Sequence, residues 1–550
     1  MPATRQSADL ALLNGNILTL DRDGATAEAL AVRDGEIVAM GDNAIVQPFI
    51  AGDTRVVDLN GRTAMPGVVD CHVHLASDAA VDQAVEVRDF YTEVNSVRDI
   101  LHRMRQASIN TPAGEWIVGR GCPMQSYRLA ERRLPTRDEL DEFVPMHPAF
   151  VSFGAHVLVA NSQALQDKGI TRDTPDPQGG TVVKDEASGE PTGVLLERAQ
   201  FLVKQRATGR DPEVLAESIL IELEKCLQRG VTSIHDIIVS RNEVMAYQRL
   251  RQQNRLPVRV QMIVRVIESG FQRESLRDLG IMSGFGDSML KIGGIKMSID
   301  GGFTGKNAAF SEKLDDEPCN RGLIRINQDE LDETVMMYHE QGLRVCVHAI
   351  GDVALDMILS SHQKAIAAHP RRGLRHRVEH MGNWMCTPER LQIAKEVDII
   401  PVPNPAFLHF LTHEIQTSLG HWRTEDAFPF RKLIDAGFPL AFGSDAPGYW
   451  SVDPLRDAGA ASSHTAYNDI EISPEGRITP YEALRGATAT AAYLGFEEGR
   501  LGTLEPGKLA DIAILQEDPL KTSPTEWGKV PVDMTIVNGR VSYERAGAAA

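Results

Sequence analysis

Basic residues, cysteines and long apolar runs are all scarce in this sequence. Lysine and arginine number 57 against 76 aspartates and glutamates, for a formal net charge of −19. That balance favours solubility and argues against nucleic acid as the main partner, because a phosphate backbone is met by a basic surface. It does not fix the charge of a substrate, whose site can have a local field of its own. Six cysteines in 550 residues do not make a disulfide framework, and no CxxC occurs. Cys71, Cys122, Cys226, Cys319, Cys346 and Cys386 are scattered, as expected of reduced thiols in a cytoplasmic protein. No apolar run approaches membrane-spanning length, and residues 1–9 lack a signal-peptide core. The expected partner is therefore a small-molecule substrate and not a membrane; homo-oligomerisation is left open.

Alternating strands and helices are abundant. With 42% hydrophobic residues the chain can bury a large core. Short strand runs separated by turns occupy residues 1–65, where Asp34-Gly35 is a hairpin signal, and return at 496–550, where Asn538-Gly539 is another. Neither half buries enough apolar surface alone, so the two are expected to form one composite β-sandwich. Between them, over 66–495, eight apolar strand runs are read: one ending at His72, then 231–235, 258–264, 292–299, 344–348, 376–380, 398–402 and 439–443. Helical patterns separate most of them, the clearest opening at Asp211-Pro212 and closing at Gly230. Another opens with a capping box at Thr479-Pro480-Tyr481-Glu482. The fold class is α/β, a (β/α)8 TIM barrel. The connection from about 76 to 210 is far too long for an ordinary β–α loop. It is expected to be an inserted lid or substrate subdomain after barrel strand one.

The polar residues at the strand ends form a set. In Pro66-Gly67-Val68-Val69-Asp70-Cys71-His72-Val73-His74 the two histidines are two apart, so on a strand they project together. Two adjacent imidazoles suit a divalent cation such as Zn2+. Lys296, His348, His380 and Asp445 stand near the ends of strands four, five, six and eight, where barrel enzymes place their chemistry. A lysine ammonium cannot ligate a cation. Lys296 is therefore either carbamylated by carbon dioxide, which makes it an anionic two-oxygen ligand, or ion-paired with Asp300 on the same strand face. The insertion offers His156 and Asn161 as hydrogen-bond partners for a substrate. Trp116, Phe150 and Phe153 offer apolar surface, unless they only build the insertion's own core.

These residues resemble the amidohydrolase superfamily, most closely the YtcJ-like branch (amidohydrolase family 3), which includes N-substituted formamide deformylases. The resemblance rests on Pro66-Gly67-x-x-Asp70-x-His72-x-His74, Ile295-Lys296, His348-Ala349-Ile350-Gly351-Asp352, Arg377-Val378-Glu379-His380, Gly443-Ser444-Asp445-Ala446-Pro447, and Gly502-Thr503-Leu504-Glu505-Pro506-Gly507-x-x-Ala510-Asp511. Gly154-Ala155-His156 and Asn161-Ser162-Gln163-Ala164-Leu165 extend it into the insertion. The branch often has an aromatic and an aspartate where Cys122-Pro123-Met124 follows Gly121 here, a departure that bears on substrate identity. The resemblance implies a two-metal site: His72, His74 and Asp445 at one ion, His348 and His380 at the other, carbamylated Lys296 between them. It implies hydrolysis of an amide-type C–N bond, in an N-acyl or N-formyl amine, with Asp445 as proton shuttle. A mononuclear deaminase on the same barrel often has a glutamate three residues after the strand-five histidine, where this chain has Gly351. A lactone or cyclic-amide hydrolase is a further alternative. A non-enzymic relative would lack ligands, and here none is missing.

Overall fold

The computed structural model describes residues 7–79, 84–90, 92–154, 156–204, 211–267, 269–314, 317, 319–420, 426–446 and 450–547. Ala155 and Pro447, both motif residues, lie outside these, as do residues 1–6 and 548–550.

Seven strands form one parallel sheet in sequence order: β1 (Val68–Val73), β2 (Val231–Ile238), β3 (Arg259–Arg265), β4 (Leu290–Ser298), β5 (Val345–His348), β6 (His376–Glu379) and β7 (Ile399–Val402). Parallel strands covered on both faces read as continuous apolar runs, and β1, β2, β5, β6 and β7 are buried at every position. Helices α1 (Pro212–Leu227), α2 (Arg241–Gln252), α3 (Gln328–Gln341), α4 (Asp352–Ala368), α5 (Pro388–Glu396) and α6 (Pro405–Leu419) alternate with the strands. Asp211 caps α1 through the Glu213 amide with Pro212 in the first turn. Thr479 and Glu482 form the expected capping box. This is a TIM-like α/β fold.

The eighth expected strand, 439–443, is not a strand among the described residues. The segment still runs between β7 and β1: the Gly443 amide donates to Pro403 O (3.2 Å) and the Cys71 amide to Phe442 O (3.1 Å). A side chain at Gly443 would overlap His72, so only glycine lets the backbone pass so close. Asp445 then turns to φ 62°, which ends any extended run.

The terminal segments meet. One four-stranded sheet has the order Glu36–Gly41, Ala29–Arg33, Leu10–Leu13, Arg55–Asp58. A six-stranded sheet joins Ile512–Leu515, Val532–Val537 and Arg540–Glu544 to Thr63–Pro66, Asn16–Leu18 and Thr26–Ala27. Leu12, Leu30, Ile512, Ile514 and Ile536 share one apolar cluster across both ends of the chain. Both hairpin signals hold: Asp34, Gly35, Asn538 and Gly539 all have positive φ, as a two-residue turn of the primed type requires.

Between β1 and β2 the insertion builds a six-stranded sheet, Gly180–Lys184, Pro191–Glu197, Val157–Ala160, Ala149–Phe153, Ile117–Gly121 and Val85–Glu86 in order across the sheet. It has two apolar clusters of its own. Five cysteines are buried, Cys319 is exposed, and all six are free. No described helix is long and apolar enough to cross a membrane.

Candidate metal and catalytic site

His72 is the second-last residue of β1 and is buried, while the His74 side chain, just past the strand's end, keeps 29% exposure. Their Nε2 atoms stand 3.3 Å apart, and Asp445 Oδ1 is 3.4 Å from the first and 3.1 Å from the second. One ligand atom from each of the three lies within 4.8 Å of the others, the only such metal-competent group among the described residues. The backbone holds it: Asp70 Oδ1 accepts from the amides of both His72 (3.2 Å) and Ser444 (3.0 Å), tying β1 to the segment that carries Asp445. Trp450 Nε1 donates to Ser444 O at 2.9 Å. Asp236, at the end of β2, accepts from the Leu75 and Ala76 amides, pinning the turn after His74.

The imidazoles are oriented by a second layer. His72 Nδ1 donates to Glu379 Oε2 at 2.7 Å, which leaves Nε2 as the lone-pair nitrogen facing Asp445. Glu379 is itself held by Arg377 Nε at 2.8 Å, and Arg377 also reaches Cys71 O and His235. Burial works against the Glu379 anion, but the charge of Arg377 and the hydrogen bond from His72 hold its carboxyl well below the ordinary range. His380 Nδ1 donates to Asn404 Oδ1 at 2.7 Å, again freeing Nε2. His348 uses Nε2 on Gly301 O (3.2 Å), so its Nδ1 is the free one. The His348 and His380 rings are 4.6 Å apart, and His72 and His380 5.4 Å. Burial pushes the imidazoles down, His72 to about 3 and His380 to about 4, which favours the neutral form that binds metal. Burial alone would raise Asp445; the hydrogen bond from His74 and the neighbouring imidazoles hold it below the carboxylate range. His380 and Asp445 both have positive φ, 74° and 62°. Non-glycine residues rarely adopt that region and often do so at functional sites.

Lys296 lies buried on β4, its Nζ 3.5 Å from His72 Nε2, and burial pushes it down to about 8. Asp300 does not pair with it. Its oxygens accept from the amides of Ala309, Ile350 and Gly351 and stand 3.6 Å from His348 Nε2.

A tight cavity, about 10 Å³ for the centre of a water-sized sphere, opens beside His348, His380 and Asp445, walled by Phe303, Ile350, Phe407 and Trp450. His156 from the insertion lines it, its ring 6.1 Å from that of His348. The other insertion candidates fall elsewhere. Asn161 caps a helix: Oδ1 accepts from the Ala149 and Ala164 amides, Nδ2 donates to His147 O, and the residue is fully buried away from the cavity lining. Trp116 packs edge-on against Phe150 under Lys168, inside the insertion's own core. Phe153 lines a separate outer cavity of about 390 Å³ with Met124, Tyr127 and Lys306; Thr304 borders both cavities. The roles of Glu379, Arg377, Asn404 and Asp236 were not read from the sequence. Charged residues two apart in the apolar strand Arg377-Val378-Glu379 were the available signal.

Comparison with known proteins gives the class of protein that carries this arrangement. The amidohydrolase family model Amidohydro_3 matches residues 55–543, and the chain belongs to that metal-dependent family. It is an enzyme, a hydrolase of carbon–nitrogen bonds. The chain is 29% identical to the Bacillus subtilis protein YtcJ, over 97% of this chain and 99% of the relative. It is 28% identical to the N-substituted formamide deformylase of Arthrobacter pascens, over 98% and 99%. Among solved structures, an uncharacterized metal-dependent hydrolase from Pyrococcus horikoshii superposes with a TM-score of 0.74 at 24% identity, covering 94% of this chain and 99% of that one.

Proposed function

We propose that the protein hydrolyses an uncharged amide of a small molecule, an N-acyl or N-formyl amine, with Zn2+ bound by His72, His74 and Asp445. The observation that carries this reading is the convergence of those three donor groups, with the second nitrogen of His72 already engaged by Glu379. The donor set fits: neutral imidazoles and one carboxylate suit a borderline cation. Free His348 Nδ1 and His380 Nε2 on the facing side support a second ion, with Lys296 beside them. At a value of about 8 part of the Lys296 amine is neutral near pH 7. Its nitrogen attacks carbon dioxide and loses a proton, giving the carbamate. Held by these residues, cations would supply a lowered pKa for water and polarisation of a carbonyl.

Asp445 takes the proton of the attacking water and passes it to the leaving nitrogen, so the C–N bond breaks into acid and amine. Phe303, Ile350, Phe407 and Trp450 wall the cavity beside its histidines, Thr304 and Asp445, and among the described lining residues there is no lysine or arginine to meet a carboxylate. That supports an uncharged substrate with a small acyl group. The deaminase alternative is disfavoured by sterics: any side chain at Gly351 would overlap the Ala309 carbonyl. The insertion acts as the substrate subdomain through His156. A cytoplasmic setting is supported by the free, mostly buried cysteines.

The test is a hydrolysis screen of metal-loaded protein over formamides, acetamides, lactams, carbamates, lactones and aminopurines. Turnover confined to lactones or aminopurines would overturn the amide assignment. Lys296→Ala should lose metal and activity, with partial rescue by small carboxylic acids; an unmodified ammonium in an active, fully metallated crystal would refute the carbamate.

A further inference from the structure

Glu197, the last residue of the insertion strand Pro191–Glu197, takes no part in the chemistry above, yet it is tied to the site as firmly as the ligands are. It is 1% exposed. Both its oxygens lie 3.0 Å from His156 Nδ1. Oε1 also accepts from the Gly302 amide (3.1 Å), and Oε2 meets Arg325 at 3.1 Å. Gly302 and Arg325 flank the loop that follows β4, so one carboxylate joins the insertion to the barrel mouth. Its backbone is at φ 49°, ψ −124°, a region that glycine favours; His380 and Asp445 are likewise at positive φ. The loop has glycine where it meets this pair: a side chain at Gly302 would overlap the His156 ring, and one at Gly301 would crowd Glu197 Oε1. Burial penalises the Glu197 anion, but His156, Arg325 and the Gly302 amide hold its carboxyl below the ordinary range.

We propose that Glu197 is a positioning residue that fixes His156 with Nδ1–H donated to it, so that Nε2 accepts the N–H of an N-monosubstituted amide. The inference rests on the amide-hydrolase reading and narrows its substrate class. Water addition gives the former amide nitrogen one hydrogen, one substituent and a lone pair. With the hydrogen held by His156, the lone pair is free to take the proton that Asp445 delivers, and the C–N bond then breaks. An N,N-disubstituted amide has no hydrogen to place there. A site built around a hydrogen bond rejects the analogue that lacks it, because its own polar group is left unpaired.

The experiment compares kcat/KM for matched N-benzyl and N-benzyl-N-methyl formamides in the metal-loaded parent, Glu197→Gln, Glu197→Ala, His156→Ala and the Glu197→Gln/His156→Ala double variant. The parent should prefer the monosubstituted member by at least about tenfold. His156→Ala and Glu197→Ala should erase that preference, while Glu197→Gln, which keeps an oxygen for Nδ1–H, should retain part of it. Adding Glu197→Gln to His156→Ala should change nothing further, with metal content equal throughout. Independent losses in the double variant, or an intact preference in folded His156→Ala, would overturn the proposal; the Gln series decides it even if Glu197→Ala does not fold. Crystal structures give a readout without turnover: the His156 ring should leave its place in Glu197→Ala, or in the Gln variant swing off one oxygen, and an unmoved ring in both would also overturn it. A metallated parent inert on every amide would instead defeat the amide reading.

Discussion

His72, His74, His348 and His380 gather at the C-terminal ends of the barrel strands; His339, His362 and His376 gather at the opposite end of β6, under α3 and α4. Both groups are buried, and burial pushes His72 and His362 alike down to about 3. The difference lies in what their nitrogens face. In the lower group the Val345 amide donates to His376 Nδ1 (3.0 Å), His376 Nε2–H to His339 Nδ1 (2.9 Å), and His339 Nε2–H to His369 O (2.7 Å). Every proton and lone pair of that relay is used internally, and it has no carboxylate. His362 has no hydrogen-bond partner at either nitrogen among the described residues. At the mouth, His72, His380 and His348 each have one nitrogen occupied, by Glu379, Asn404 and the Gly301 carbonyl; the other nitrogen of His72 stands 3.4 Å from Asp445, and His348 and His380 line the cavity that contains Asp445. Histidine number and burial do not distinguish a site; the direction of the free lone pairs does.

The sharpest way to break this contrast is to remove the mouth's carboxylate. Asp445→Asn should lower kcat by at least about a hundredfold, the scale of a lost general acid–base. Metal content measured on the same sample separates loss of the shuttle from loss of a ligand. Near-normal kcat in a fully metallated Asp445→Asn protein would remove Asp445 from the chemistry.

Next in size is the second layer. Glu379→Gln keeps the shape but weakens the grip on His72 Nδ1–H, and should reduce metal affinity about 10- to 100-fold. Competition with a chelator of known affinity measures it. His339→Leu serves as the contrast in the lower group and should leave metal affinity unchanged; a comparable drop there would erase the distinction.

The smallest effect concerns stability. His362 is held near 3 in the folded protein against about 6.5 when unfolded, so between those values the unfolded chain binds the extra proton. Stability from this group therefore rises with pH through that window and is lost as pH falls below about 6.5, by up to about 1.4 kcal/mol per pH unit. In His362→Leu that loss is absent. Urea unfolding at pH 7 and pH 5 should show the variant's advantage widening by about 2 kcal/mol. A constant gap would show that His362 titrates alike in the folded and unfolded protein, and a narrowing gap that the folded protein keeps it protonated.

How much of this could be read from the sequence follows from the range of each interaction. His72 and His74 were legible because strand periodicity is local, and Lys296, His348, His380 and Asp445 because each stands near the end of an apolar run. Glu379 was visible as a buried charge, but its partner His72 is 307 residues away, and nothing local joins them. The 439–443 run misled because Leu440, Ala441 and Phe442 are as apolar as any strand, while the close pass of Gly443 against His72 is a tertiary fact. Asn161 was misread although its signal was local: an Asn before Ser162, bonding the amide three residues on, is a helix cap. Trp116 and Phe150 could not be assigned from sequence, since a core aromatic and a substrate-binding one have the same pattern.

The central claim, that the mouth cluster is the metal centre of a C–N hydrolase, is tested most directly by following metal and activity together. Purified protein is assayed on an N-substituted formamide and analysed for metal, stripped with chelator, and reloaded with Zn2+. The account predicts one to two equivalents of metal that leave and return in step with activity. A metal-free preparation that keeps full activity would contradict it.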